Sequence, residues 1–374
     1  MSTKNQFDYQ NYVNGGTRLK LTQANMRRIP IPIPPLAEQK QIAIQLDQLL
    51  SQVNTLKNRL DNIPNILKRF RQSVLAAAVS GKLTEEWRGM NNEIETPSID
   101  EIKAAWLKEN KKSRKRNKPL VFELLGNDLQ TLPNRWKWSQ IGYIFDVYVG
   151  STPSRKNEIF WGGDVSWVSS SEVNFCHIKA TKETITEEGL ANTSTSVHPP
   201  GTVLLAMIGQ GKTRGQPAIL DIYACHNQNT AALRILDKYC VSEYLYFFLY
   251  ERYEETRRVG SGNNQKAMNK KIVQSLPFPL PPKEEQTEIV RQVEKFFTFV
   301  DQIEKQISSA QTRVNNRTQS ILAKAFRGEL TAEWRKQNPD LISGENSAES
   351  LLEKIRKERE SLKPTKKIRK KTTA

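Results

Sequence analysis

The sequence predicts an α+β chain: one mixed α/β domain together with two long helices that pair with each other. Three observations carry that expectation. The stretch 34–88 recurs at 281–335 at a constant offset (281 − 34 = 247) and without a gap. In both copies the apolar residues step by four and three, the pattern of a helix with one narrow seam. Between the copies lies a block of short β-like runs punctuated by glycine. An internal repeat of this length has to be settled before any local reading.

Residues 1–33 read as the remnant of the end of a first domain. Gly15, Gly16 and the run Ile29-Pro30-Ile31-Pro32-Ile33-Pro34 align at the same offset with Gly262, Asn263 and Leu276-Pro277-Phe278-Pro279-Leu280-Pro281, which close a domain later in the chain. The expectation is that a whole domain is absent upstream.

Residues 34–88 form the first long helix. Pro34-Pro35 cannot sit inside it, so it starts just after them, with Glu38 near its positive end. Its seam is Ile42, Leu46, Leu49, Val53, Leu56 and Leu60, continuing through Ile63, Leu67, Phe70, Val74 and Ala77; Pro64 is expected to kink it. The copy stops at Gly81, a C-terminal cap, and closes with Gly81-Lys82-Leu83-Thr84-Glu85-Glu86-Trp87-Arg88. Residues 281–335 repeat every feature: Pro281-Pro282, Glu285, a seam of Ile289, Val293, Phe296, Val300, Ile303 and Ile307, then Gly328 and a Thr331…Trp334-Arg335 ending. A single seam needs a partner, and the other copy is the nearest one.

Residues 89–131 read as a polar and basic linker with a short helix near 99–107, and 336–374 as a basic tail with a similar helix at 348–362. Residues 132–280 are the globular domain. It opens on Trp136-Lys137-Trp138, an aromatic edge suited to packing. Strands are expected at 143–149, 165–168, 202–208, 218–222 and 230–235, and a helix at 239–252.

The formal net charge is +17, and its location decides what it means. Residues 103–118 and 351–374 each hold about +7 and 121–280 only about +1, so the excess sits in two polar segments. Arg114-Lys115-Arg116 and the run at 366–371 can bind phosphate non-specifically, or simply be solvated. Three cysteines without paired spacing, a polar start and no apolar run near the ~20 residues of a membrane span point to the cytoplasm.

No catalytic centre emerges. Gly209-Gln210-Gly211-Lys212-Thr213 resembles a phosphate loop but lacks the first glycine, with Ala206 in its place, and continues into another strand. Cys176-His177 and Cys225-His226 are adjacent pairs that point to opposite faces of a strand, so no metal site is expected. What remains is a set of loops carrying base-capable side chains. They hold Ser151, Thr152, Ser154, Arg155 and Lys156; Lys212, Thr213 and Arg214; Asn227-Gln228; and Asn264, Gln265 and Lys266. Arginine can read guanine and Asn or Gln adenine, while Ser, Thr and Lys hold phosphates. Ordinary turn chemistry accounts for any one loop equally well, and Asn227-Gln228 also suits a buried network that fixes the loops.

Taken in order, these residues resemble the specificity subunit of type I restriction-modification systems. Pro-Pro-x-x-Glu-Gln heads each long helix and Gly-x-Leu-Thr-x-x-Trp-Arg ends each. Between them stand Gly150 to Arg155, Gly162-Gly163-Asp164-Val165-Ser166-Trp167, Gly209 to Gly215, Asn227-Gln228 and Asn263-Asn264-Gln265. The resemblance implies target-recognition domains held apart by two helices paired antiparallel, each domain reading one half of a split site in double-stranded DNA. It implies docking of methylation (M) subunits, which use S-adenosylmethionine, and of restriction (R) subunits, which use ATP and magnesium; the chain itself binds no cofactor and is no enzyme. This sequence departs from that pattern in holding one recognition domain, at 132–280. A homodimer, a second half-specificity subunit, and an inactive remnant each fit the departure. A coiled-coil scaffold without sequence readout, and a DNA-modifying enzyme, are the readings from other classes.

Overall fold

The computed structural model describes residues 13–14, 20–109, 129–209, 212–258 and 268–362. Strands β1 (Val13–Asn14) and β2 (Lys20–Leu21) pair antiparallel, and α1 (Gln23–Met26) leads to α2 (Leu36–Val79). Helices α3 (Glu85–Met90) and α4 (Ile99–Glu109) precede a strand-rich part. This comprises β3 (Lys137–Gln140), α5 (Ile141–Ile144), β4 (Asp146–Val149), β5 (Trp161–Val168), β6 (Cys176–Ile178), β7 (Glu183–Ile185), α6 (Glu187–Ala191), β8 (Val203–Ala206), β9 (Pro217–Leu220), β10 (Cys225–His226) and β11 (Thr230–Arg234). Helices α7 (Ser242–Glu251), α8 (Tyr253–Arg258) and α9 (Lys270–Ser275), strand β12 (Pro277–Leu280), then α10 (Lys283–Phe326), α11 (Ala332–Gln337) and α12 (Ala348–Ser361) complete the chain.

Both repeat helices are 44 residues long and begin right after the double prolines. Each ends two residues before a glycine in the left-handed region, Gly81 at φ +74° and Gly328 at φ +71°, where a side chain would be strained. Pro64 stays inside an unbroken α2: it withholds one backbone donor, yet the helix continues through it. The chain divides into two compact units, residues 1–63 with 305–374 and residues 64–304, so each long helix is shared between them.

In unit 64–304 the second half of α2 runs antiparallel to the first half of α10. Phe70 packs edge-on against Phe296 at 5.9 Å, and Arg71 bridges Asp301 and Glu304. In the other unit Gln311 Nε2 donates to Asp61 at 2.9 Å. Of the expected seam, Val53, Leu67, Val74, Ile289, Val293, Val300 and Ile307 are buried, while Ile42, Leu46, Leu49, Leu60, Phe296 and Ile303 are half-buried. Leu56 corrects the expectation. It is 50% exposed, because burial follows the seven-residue row Val53, Leu60, Leu67 and Val74, and Leu56 lies on the flank of that row.

Each unit contains the same head-to-tail lock. In unit 64–304 Glu285, at the head of α10, is fully enclosed. It accepts from Thr84 Oγ1 at 2.7 Å, from Arg88, and from the Trp136 indole at 2.9 Å. In the other unit Glu38, at the head of α2, accepts from Thr331 and Arg335. The head motif of one copy thus binds the tail motif of the other, twice.

The α/β domain has its sheet in the order β4-β11-β8-β9-β6, antiparallel except for the β9–β6 pair. A second sheet runs β10-β5-β7, and β12 pairs with β3. Strand β12 carries Pro277 and Pro279, which alternation along a single-partner strand tolerates because the intervening residues supply the donors. The core joins sheet and helices: Leu205, Ala231 and Leu233 pack with Tyr244, Leu245 and Phe248 of α7 and with Val74, Leu75 and Ala78 of α2.

Three local expectations change. The strand expected at 143–149 begins only at Asp146; residues 141–144 form a helical turn, since Ile141 and Ile144, three apart, both enter the core. Within the expected linker 89–131, α4 packs on the domain: Ile102 is fully buried and the Trp106 indole donates to the Ile144 carbonyl at 2.8 Å. The strand expected at 202–208 ends at Ala206, after which Met207 N donates to Asn229 O at 2.8 Å.

Two outcomes test the locks and the seam. Glu285→Ala strands a buried guanidinium and an indole N–H, and is expected to cost about 3–5 kcal/mol in urea unfolding. Val53→Asp is expected to lower stability by more than about 2 kcal/mol, whereas Leu56→Asp shifts it by less than about 0.5 kcal/mol.

Candidate nucleic-acid interface

The register of the five-stranded sheet gathers the loops at one edge. Val149, the last residue of β4, faces Ala231, and Ala206, the last of β8, faces Thr230, the first of β11. Pro217, which opens β9, faces Leu205, and Cys176, which opens β6, faces Ala218. The segments after 149 and 206 and those before 176, 217 and 230 therefore leave the same edge.

Hydrogen bonds tie these loops together. Ser151 N donates to His226 O at 3.0 Å, and Thr152 Oγ1 to Gln228 Oε1 at 2.6 Å. Gln216 Nε2 donates to Asn174 Oδ1 at 3.1 Å. Gly150 is required where it stands, since a Cβ would lie 1.9 Å from the His226 carbonyl oxygen. Asn227 is buried, and its Oδ1 accepts from Asn229 N and Thr230 Oγ1, both at 3.1 Å. This is the loop-fixing network expected of it; Gln228 beside it is exposed.

Of the expected contact residues, Ser154, Arg155, Lys156 and Lys212 are exposed, and Ser151, Thr152, Thr213 and Arg214 are half-buried. The Tyr253 hydroxyl donates to the Lys212 carbonyl, holding that loop against α8. Arg214 Nε is buried without a hydrogen-bond partner. Residues Thr213 to Gly215 lead straight into β9, not into a helix, so the Gly209–Thr213 stretch is no phosphate loop. Asn264, Gln265 and Lys266 lie outside the described residues, as do Arg114-Lys115-Arg116 and 366–371.

Sequence reasoning missed what holds Arg155. Its guanidinium carbon sits 3.7 Å from the centre of the Trp161 ring and 5.2 Å from that of Trp167, and Glu183 on β7 engages it bidentately, one contact at 2.9 Å. The signal was the spacing of Trp161 and Trp167, six apart on one strand. Strand β7 is too short for its alternation to be read.

Behind the edge lie two buried histidines. Arg234 Nε donates to His198 Nδ1 at 3.0 Å, and His226 Nδ1 contacts the Asn227 carbonyl at 3.1 Å. Burial pushes His198 down to about 2, helped by His226 and Arg234, and His226 down to about 4. Burial also pushes the thiols of Cys225 and Cys240 up to about 12, which leaves them packing residues. Among the described residues no three His, Cys, Asp or Glu side chains are placed to hold a metal, and no helix is long and apolar enough to cross a membrane.

A family model described as the type I restriction modification DNA specificity domain matches residues 2–65 and 133–310. The chain belongs to this family. It is 35% identical over 365 residues to the type I restriction enzyme EcoDI specificity subunit of Escherichia coli, covering 96% of this chain and 75% of that protein. To the EcoKI specificity subunit of Escherichia coli strain K12 it is 38% identical over 356 residues, covering 93% and 68%. Membership makes it a DNA-specificity chain and not a catalyst. A solved chain from work on complex assembly and conformational transition of the type I R-M system shares the fold, with a TM-score of 0.59 at 20% identity. That match covers 84% of this chain and 65% of the solved one, so this specificity chain spans just under two thirds of it.

A pH dependence follows from the histidines. Both are neutral when folded and near 6.5 when unfolded, so the unfolded state binds more protons below pH 6.5 and stability falls as pH falls. Urea unfolding between pH 7 and 5 is expected to lose up to about 1.4 kcal/mol per pH unit for each histidine once below pH 6.5. His198→Gln is expected to flatten that slope.

Proposed function

We propose that this specificity chain reads one half of a split site in double-stranded DNA with the loop edge of its five-stranded sheet. The observation that supports it is the convergence of 150–157, 207–209, 212–216 and 226–229 on that edge with Arg155, Lys156, Lys212 and Arg214. The domain itself is nearly neutral, at about +1, so cations concentrated on one edge favour local contact over general attraction. In this reading the paired helices dock methylation and restriction subunits in the cytoplasm. S-adenosylmethionine, ATP and magnesium are used there, not by this chain.

The unit of residues 1–63 and 305–374 offers a seat for a second recognition domain. Positions related by the repeat differ in one consistent way. Phe278 and Leu280 are fully buried, but their counterparts Ile31 and Ile33 are 71% and 38% exposed. Leu75 is 1% exposed and its counterpart Leu322 37%; Val79 packs on the core while Phe326 is 68% exposed. Gln286 accepts from Val241 N and donates to Tyr239 O and Pro281 O, where Gln39 donates to the Pro34 carbonyl at 2.8 Å. In one unit these surfaces are covered by the α/β domain. A domain of the same fold would cover them in the other.

Long-read detection of methylated adenines in cells co-expressing this chain with its methylation subunit tests both parts. A split palindromic motif is expected if a second copy supplies the other half, and a split asymmetric one if another domain does. Arg155→Ala with Arg214→Ala is expected to relax the motif, at about 1–3 kcal/mol for each base-reading arginine removed; an unchanged motif overturns the loop assignment. Ile31→Asp with Phe326→Asp is expected to remove the second half of the motif while leaving the melting of unit 64–304 unchanged.

A further inference from the structure

Arg155 is the most exposed arginine of the loop edge and yet it is not free. Its face lies on Trp161, its fork is taken by Glu183, and the loop that carries it is pinned by two indoles. Trp167 Nε1 donates to Ser151 O at 3.1 Å and Trp161 Nε1 to Ser154 O at 3.2 Å. The two tryptophans meet edge to face at 5.2 Å. The guanidinium is therefore held in one plane before anything binds, and a carboxylate sits where a paired acceptor on DNA would sit.

The ion pair is exposed, 53% for the Arg155 side chain and 40% for Glu183. A pair this wet is weak and opens readily. Mutual hydrogen bonding nevertheless raises the arginine and lowers the carboxyl, so both stay charged at neutral pH. A backbone phosphate can also take both arms of the fork, but that only exchanges one paired anion for another. The O6/N7 edge of a guanine offers two acceptors in the geometry of a carboxylate.

We propose that Glu183 is a specificity-determining residue of this interface: it occupies the Arg155 fork in the free protein and yields it only to a paired acceptor on DNA. On non-matching duplex the pair stays closed and Arg155 adds nothing to binding. On a matching base it opens, and Glu183 swings into solvent. Glu183 acts through Arg155 and is a positioning residue. The inference rests on the loop edge being the DNA interface.

The test is salt-dependent binding of the full chain, in complex with its methylation subunits, to a labelled duplex of random sequence. Glu183→Gln, which keeps the shape and removes the charge, is expected to tighten that binding about 3–10-fold. It is also expected to steepen the slope of log K against log salt by about one, as a newly freed arginine reaches phosphate. Glu183→Ala is expected to act in the same direction. Adding Arg155→Ala to Glu183→Gln should abolish the gain. If Glu183→Gln leaves affinity and slope unchanged while Lys156→Ala and Lys212→Ala flatten the slope, the edge meets DNA but Glu183 is passive, and the proposal is overturned. If none of these substitutions moves the slope, the edge itself is not the interface and both readings fall.

Discussion

The interaction on which the rest depends is the buried carboxylate at the head of each long helix. Glu285 is enclosed with Thr84, Arg88 and the Trp136 indole, and Glu38 with Thr331 and Arg335. A carboxylate removed from water is tolerated only where its charge and its lone pairs are met. Here both are met by a threonine and an arginine from the other copy of the repeat, joined at Glu285 by Trp136 of the α/β domain. The lock therefore fixes which helix end lies against which, something an apolar seam alone does poorly. A seam tolerates sliding by a turn or a reversal of direction. A buried ion pair with a threonine and an indole does not.

That constraint explains why the same eight-residue ending follows both helices. The glycine lets the chain reverse, and its left-handed backbone leaves room for the guanidinium beside it: a Cβ on Gly328 would stand 3.1 Å from Arg335 Nη1, and one on Gly81 3.1 Å from Arg88 Nη1. The threonine and arginine are then four apart on one face, both aimed at the opposing glutamate. The repeat was visible in the sequence, and so were the ends of its helices. That head and tail bind each other was not, because Glu38 and Arg335 are nearly three hundred residues apart and no local pattern connects them.

The same contrast runs through the domain. Strands β8, β9 and β11 were legible because they are buried on both faces and read as apolar runs. Strands β6, β7 and β10, of two or three residues, carry no usable period. Strand β12 hides behind its prolines, and α4 looked like linker because its polar face dominates the count while Ile102 and Trp106 do the packing. For the interface, residue types in the loops could be named from sequence, but their gathering on one edge is a product of register. Glu183 had no sequence signal as a partner of Arg155, since the two are joined only through pairing of β5 with β7.

The charge distribution gives the loop edge its meaning. A protein that must find one site among very many gains little from a strongly basic recognition surface, because counterion release rewards every duplex equally. This chain keeps residues 121–280 near neutrality and carries its basic excess in the segments that follow each helix. On the edge itself, Arg155 is paired with Glu183 and the Arg214 Nε is withdrawn from water, while Lys156 and Lys212 stay exposed. Arginines held this way contribute least to indiscriminate attraction and most where a partner of the right geometry replaces the groups that hold them. Under the proposed reading, discrimination comes from what each arginine must give up as much as from what it finds.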